Sequence, residues 1–197
     1  EKDGFDAQNI TVNTKSKWDD VEIKTTLIRR ESDADLDNGT SDDLDYTAEN
    51  KMNLYQLSGK VNNSMGFYNI TFSRTEYDRQ YVNGTEIDEY DSSSNTVLLT
   101  NTIQKDKWDI TPGVEYEEFD GSFKNRGSYT ASVDTGGENI GYFVNTNIMA
   151  SDRLILSAGV RQDDPSLFND YSTYRMGGTY SLTDALTFKG NYATSVK

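Results

Sequence analysis

Segments of about ten residues with alternating polarity recur from one end of this chain to the other. Gly, Asn, Asp and Ser clusters punctuate them, and reading those clusters as turns predicts strands over 7–15, 20–31, 50–62, 66–79, 93–104, 107–120, 138–150, 153–164, 170–182 and 186–197. The connections alternate as well. Those at 16–19, 63–65, 105–106, 151–152 and 183–185 are short, whereas 32–49, 80–92, 121–137 and, more modestly, 165–169 are longer. Tight turns on one rim and long loops on the other suit a sheet that stands across a barrier with two unlike sides. Ten residues is also the length a tilted strand needs to cross a hydrocarbon layer.

The alternation is clearest in the C-terminal half. Ile140, Tyr142, Val144 and Ile148 oppose Gly141, Phe143, Asn145 and Asn147. Leu154, Leu156, Ala158 and Val160 oppose Arg153, Ser157, Gly159 and Arg161. Tyr174, Met176, Gly178, Tyr180 and Leu182 form the apolar set of the next segment, and Leu186, Phe188, Gly190 and Tyr192 that of the last. Period two places each set on one face of a strand. In the N-terminal half Ile28 interrupts the pattern, and Pro112, inside a predicted strand, implies a bulge or a missing ladder bond. A soluble antiparallel sheet with one buried face is the rival reading, and the asymmetry of the connections favours the barrier.

Composition agrees. Only 34% of the 197 residues are hydrophobic, too few for a conventional core, yet there are 13 Tyr, 8 Phe and 2 Trp, too many for a disordered acidic chain. A wall with lipid on one face, a polar lumen on the other and aromatics at the interfaces accommodates both facts. No apolar run approaches the length of a spanning helix. The fold class expected is therefore all-β, an antiparallel up-and-down transmembrane β-barrel segment of about ten strands.

Several chemistries are excluded. The chain has no Cys and no His, which removes disulfides, thiolate and Ser-His-Asp catalysis and the commonest transition-metal ligand. A net charge of −14 opposes nucleic-acid binding. Adjacent acids such as Glu117/Glu118 and Asp163/Asp164 should point to opposite faces, so no carboxylate pair converges on one bond and the chain reads as no enzyme.

Acidity collects in the long connections. Residues 31–49 hold eight acids and no base, and 80–92 add Glu86, Asp88, Glu89 and Asp91. The plain reading is a hydrated surface. The sharper one is an extracellular Ca²⁺ loop, with Asp33, Asp35, Asp37, Asp42, Asp43 and Asp45 supplying hard oxygen ligands. An EF-hand does not fit, because Asn38 and Leu44 stand where its Gly and Glu belong.

The last quarter carries a more specific signal. Gly159, Arg161, Asp163 and Asp164, then Gly178, Tyr180, Leu182, Thr183, Asp184 and Leu186, then Tyr192, Ala193, Thr194, Ser195, Val196 and Lys197 resemble the corresponding motifs of TonB-dependent outer-membrane receptors, particularly the vitamin B12 transporter-like branch. Ala193 and Val196 depart from that pattern, where the family has Gly and Phe. The resemblance implies an internal slice of a 22-stranded barrel in the outer membrane of a Gram-negative bacterium. It implies that residues 1–197 are a partial barrel domain without the plug domain and the remaining strands, a reading that agrees with Glu1 in place of an initiator Met. The partners implied are outer-membrane lipid and lipopolysaccharide, the TonB complex acting through the plug, and a small nutrient such as siderophore-iron, haem or cobalamin. Calcium-ordered loops in cobalamin-binding members would give the acidic positions a role. The alternative is a self-contained ten-stranded barrel acting as a passive channel or adhesin. A ten-stranded protease barrel of the omptin type would need a catalytic His that this chain lacks.

Overall fold

The computed structural model describes residues 4–37, 45–127 and 130–195. Ten strands follow one another: β1 (Phe5–Trp18), β2 (Val21–Asp35), β3 (Tyr46–Asn63), β4 (Gly66–Asn83), β5 (Glu86–Lys105), β6 (Trp108–Arg126), β7 (Ala131–Ser151), β8 (Leu154–Pro165), β9 (Tyr171–Thr183) and β10 (Leu186–Ala193). They form one antiparallel sheet in the order of the sequence, an up-and-down meander with no crossover. β1 and β10 do not pair with each other, so both edges are open.

One rim carries only two-residue turns, at 19–20, 64–65, 106–107, 152–153 and 184–185, as the sequence led us to expect. Asp19 takes up a left-handed φ of 46° in the first of them, a conformation its short polar side chain tolerates. Gly66 follows the second turn at φ 152°, packed so closely on the Thr102 carbonyl of the neighbouring strand that a Cβ would collide with it.

The opposite rim corrects the sequence reading. The expected loop 80–92 is a hairpin that turns at Gly84 and Thr85, with Asn83 paired to Glu86. Likewise β2 continues to Asp35, β3 begins at Tyr46, β6 runs to Arg126 and β7 starts at Ala131, so that much of what was expected as loop at 32–49 and 121–137 is strand. β3 to β7 are 18 to 21 residues long, roughly twice what a bilayer needs. Much of the material on that rim is sheet rising past the apolar zone. Asn83-Gly84 is a strong hairpin signal that the surrounding acids had obscured.

Pro112 breaks the β5–β6 ladder as expected. Pairing is continuous from Ile87 to Thr100, lapses opposite Thr111 and Pro112, and resumes at Ile103 in the same register. A missing N–H leaves a gap, and no bulge forms. The Thr102 and Thr111 hydroxyls bond across it at 3.0 Å.

Among the described residues the only buried apolar side chain is Ala48. The accessible surface is 13832 Å², against about 9,400 Å² expected for a compact soluble monomer of this mass. The register explains where the apolar side chains went. Gly59, Ile70, Leu99, Val114 and Tyr142 stand in one cross-strand row, and Pro112, Val144, Val160 and Tyr174 in another. All of these lie on a single face. Trp18, Tyr68, Trp108, Tyr180 and Phe188 mark the tight-turn side of this band, while Tyr55, Tyr116, Tyr142, Tyr174 and Tyr192 mark the other. Leu156, Tyr180 and Phe188, which a soluble sheet would bury, are open to the surroundings. A continuous apolar band this size is unsustainable in water.

Open edges and an uncovered band predict that residues 1–197 alone aggregate without detergent. Sedimentation checks this, and a monodisperse detergent-free monomer would contradict the assignment of the apolar face.

Candidate functional site

The face opposite the apolar band is polar, and alternation puts it on the lumen side of a barrel. Level with the band it is laced by hydrogen bonds between strands. Arg161 on β8 reaches across β7 to Glu115 on β6, with Nη2 donating to Oε1 at 2.8 Å, while its Nε donates to both oxygens of Asp163 at 2.9 Å. Asn139 donates to Asp163 Oδ1 at 2.8 Å. The crossing is open because Gly141 lies between Glu115 and Asp163 in the register, where a Cβ would occupy the guanidinium's place. Asp163 is 3% exposed and depends on these partners. Phe143, one row down, lays its ring over Gly113 in the same manner. Arg175 donates to Asn145 at 2.9 Å and Ser94 to Glu117 at 2.8 Å.

Beyond the band the long hairpins carry different chemistry on their two faces. Their outer side presents Glu31, Asp33 and Asp35 on β2, Glu49 on β3, Glu76 and Asp78 on β4, Glu89 and Asp91 on β5. Four cations there have acidic partners: Arg29 with Glu31, Lys51 with Glu49, Arg74 with Glu76, Arg126 with Glu89. Glu31 raises the Arg29 pKa and Glu49 that of Lys51 by holding the cationic forms.

The inner side of the same hairpins is basic and aromatic. One row reads Asn9, Arg30, Met52, Tyr77, Ser92, and the row above it Ala7, Ser32, Asn50, Arg79, Tyr90, Phe123. These residues, apart from Phe123, line a concavity of about 780 Å³ together with Gln8, Glu31, Lys51 and Asp78. Tyr90 packs against Phe123 with ring centres 4.7 Å apart and meets Tyr81 edge-on at 6.1 Å. Arg79 Nε donates to Asn50 Oδ1 at 2.6 Å.

The four calcium candidates among the described residues are dispersed. Asp33 and Asp35 lie on the outward face of β2, where Asp35 accepts a bond from the Gly4 backbone N–H at 3.0 Å. Asp37 and Asp45 flank the β2–β3 connection, and Asp42 and Asp43 fall outside the described residues. Among the described residues no three carboxylates converge on a common point. Adjacent acids diverge as expected, with Asp163 buried and Asp164 exposed.

Sequence reasoning missed both inner-face groups. Arg161 and Asp163 stood two apart in an alternating segment, which put them on one face. Neither the link of Arg161 to Glu115, 46 residues away, nor the row shared by Arg30 with Tyr77 and by Arg79 with Tyr90 has any signal in one sequence.

Residues 2–197 match the sequence profile of the family described as TonB dependent receptor-like, beta-barrel. The chain belongs to the TonB-dependent receptor barrel family. No curated protein matches it in sequence. The same fold occurs in solved receptors: the copper transporter OprC (TM-score 0.74, 12% identity, 96% of this chain and 36% of that one), the siderophore receptor PiuA from Acinetobacter baumannii (0.70, 11%, 97% and 42%), and the ferric-catecholate import receptor Fiu from E. coli (0.71, 9%, 98% and 47%). At such identities the likeness is one of fold. The chain spans less than half the length of these TonB-dependent receptors.

Proposed function

We propose that this chain is a run of barrel wall from a receptor in the outer membrane of a Gram-negative bacterium, one that takes up a scarce nutrient with energy delivered by the TonB complex. The observation that carries the proposal is the pairing of a lipid-sized apolar band on one face with a polar, hydrogen-bonded face behind it, in a sheet whose two edges remain open. Ten strands with unpaired edges fit a larger barrel, 22-stranded in this family, whose lumen holds a plug domain. The self-contained ten-stranded channel would require β1 and β10 to pair, and they are separate edges.

On this reading the apolar band meets outer-membrane lipid, the hydrophilic outer side of the tall hairpins meets lipopolysaccharide, and their inner side meets a small nutrient before TonB-driven release through the plug. The nutrient class spans siderophore-iron, haem and cobalamin-like ligands. The motif residues Gly159, Arg161, Asp163 and Tyr192 support the vitamin B12 transporter-like branch. The solved neighbours named for iron complexes and copper support iron or metal uptake. The role is one of transport, with no enzymatic step.

Calcium at the β2–β3 hairpin is part of the same proposal. Since Asp33 and Asp35 point outward on a strand, a complete shell would draw on Asp37, Asp42, Asp43 and Asp45.

The test is uptake by the full-length receptor in otherwise isogenic cells with and without TonB. Accumulation of a nutrient that collapses without TonB supports the reading. Equal entry in both strains would make the protein a passive channel. For calcium, protease cleavage between 36 and 45 in the assembled receptor should slow several-fold with millimolar Ca²⁺ and not with Mg²⁺; equal rates would remove the metal.

A further inference from the structure

The two faces of the tall hairpins differ in charge in a way that selects a ligand. The chain holds 33 acidic residues against 19 basic ones, so carboxylates outnumber the cations they could pair with. On the outer face Arg29, Lys51, Arg74 and Arg126 each have a carboxylate. On the inner face Arg30 and Arg79 have none among the described residues. Their sequence neighbours Glu31 and Asp78 point the other way, because strand alternation puts successive side chains on opposite faces. Asp88, one row above Arg79, is bonded to Asn125 instead. Arg79 is steered by a neutral partner, Asn50, through Nε, which leaves the rest of its guanidinium free to donate.

The surroundings of these two cations combine flat or polarizable side chains with small neutral polar ones. Arg79 is directly opposite Tyr90, and Arg30 is one strand from Met52 and two from Tyr77. Tyr90 is stacked in turn on Phe123. Guanidinium forks bind carboxylate and phenolate oxygens in planar pairs, and Tyr and Met offer flat or polarizable surface to a ring. A neutral sugar-like or hydroxamate ligand would leave both cations unpaired on desolvation, which costs affinity.

We propose that the concavity between β2 and β5 takes an anionic, ring-bearing small molecule, such as a catecholate metal complex, with Arg30 and Arg79 reading its charge and Tyr77 and Tyr90 its ring. The inference rests on the receptor reading and narrows its substrate class. Acids on the outside and bases within also give an incoming anion a directed path, since the outer wall repels it and the mouth attracts it.

The experiment uses the full-length receptor in detergent with two ring-bearing probes, ferric tris(2,3-dihydroxybenzoate), which is anionic, and ferric tris(benzohydroxamate), which is neutral. Binding is followed by quenching of intrinsic Tyr and Trp fluorescence. The anionic complex should bind at least tenfold more tightly, and the Arg30→Gln/Arg79→Gln pair should erase that preference, hold the neutral complex at least as tightly as before, and leave the melting temperature unchanged. Raising salt should weaken the anionic complex alone. Equal binding of the two probes, no binding of the anionic one, or an anionic preference that survives the double substitution would overturn the charge assignment. TonB-dependent uptake of a neutral ligand alongside any of those results would leave the receptor reading intact, so the two failures are distinguishable.

Discussion

Val144→Arg should cripple assembly of the full-length receptor, whereas Asn147→Arg, three residues along the same strand, should be tolerated. Val144 sits near the middle of the apolar band, between Pro112 on β6 and Val160 on β8, and is 39% exposed to whatever surrounds the sheet. A charge placed there meets hydrocarbon, at a cost of about 2–4 kcal/mol near the bilayer midplane. Asn147 faces the other way and donates to both oxygens of Asp109, at 3.1 and 3.2 Å. A guanidinium in its place keeps a partner and stays within about 1 kcal/mol of the parent. Urea unfolding of the receptor in lipid bilayers, together with the yield of heat-modifiable folded barrel, measures both. If the two variants lost stability equally, the apolar face would not be in contact with lipid.

That contrast depends on which side chain faces which solvent, the part of the fold most legible in the sequence. Period two is a local property. Leu154, Leu156, Ala158 and Val160 announced a face before any partner strand was known. The tight-turn rim was readable for a similar reason, since turns such as Asp106-Lys107 and Asp152-Arg153 interrupt alternation where the chain must reverse. The opposite rim was misread because polarity was taken for looseness. Above a membrane both faces of a strand meet water, so Glu86 to Asp91 lose the apolar half of the alternation while remaining sheet through backbone pairing with β4. Asn83-Gly84 was the surviving clue.

The inner-face groups were illegible for a deeper reason. Sequence shows the face a residue occupies but not the row it shares across strands, and row membership is set by register. Arg30 and Arg79 fall in adjacent rows only because Arg30 is opposite Met52 and Asn50 is opposite Arg79. A slip of one residue in β3 would turn Asn50 and Met52 to the other face. Glycine positions hold the same kind of information. Gly141 reads in sequence as a small residue in a strand, and only the register shows that it is the notch through which Arg161 crosses to Glu115.

Removing that crossing cation should cost more than any change to the outward ion pairs. Arg161→Met leaves the Asp163 carboxylate, 3% exposed, with Asn139 as its one remaining side-chain partner among the described residues. Breaking a buried pair from one side costs about 3–5 kcal/mol, and the lower end applies because the guanidinium is 29% exposed. Glu115→Gln should cost much less, since Glu115 is 27% exposed and water can replace part of its contact. Adding Asp163→Asn to Arg161→Met should recover most of the loss, because the charge left unpaired is then gone. Unfolding midpoints of the full-length receptor in detergent read all three, and repeating them at high salt separates the sites: the Arg161→Met loss should persist, as a buried pair is little screened, while the effect of Arg74→Gln on the exposed hairpin face fades. A small loss for Arg161→Met, or no recovery in the double variant, would mean that Asp163 is satisfied by other groups, and the β6–β8 crossing would then be a consequence of the register with no share in stabilising it.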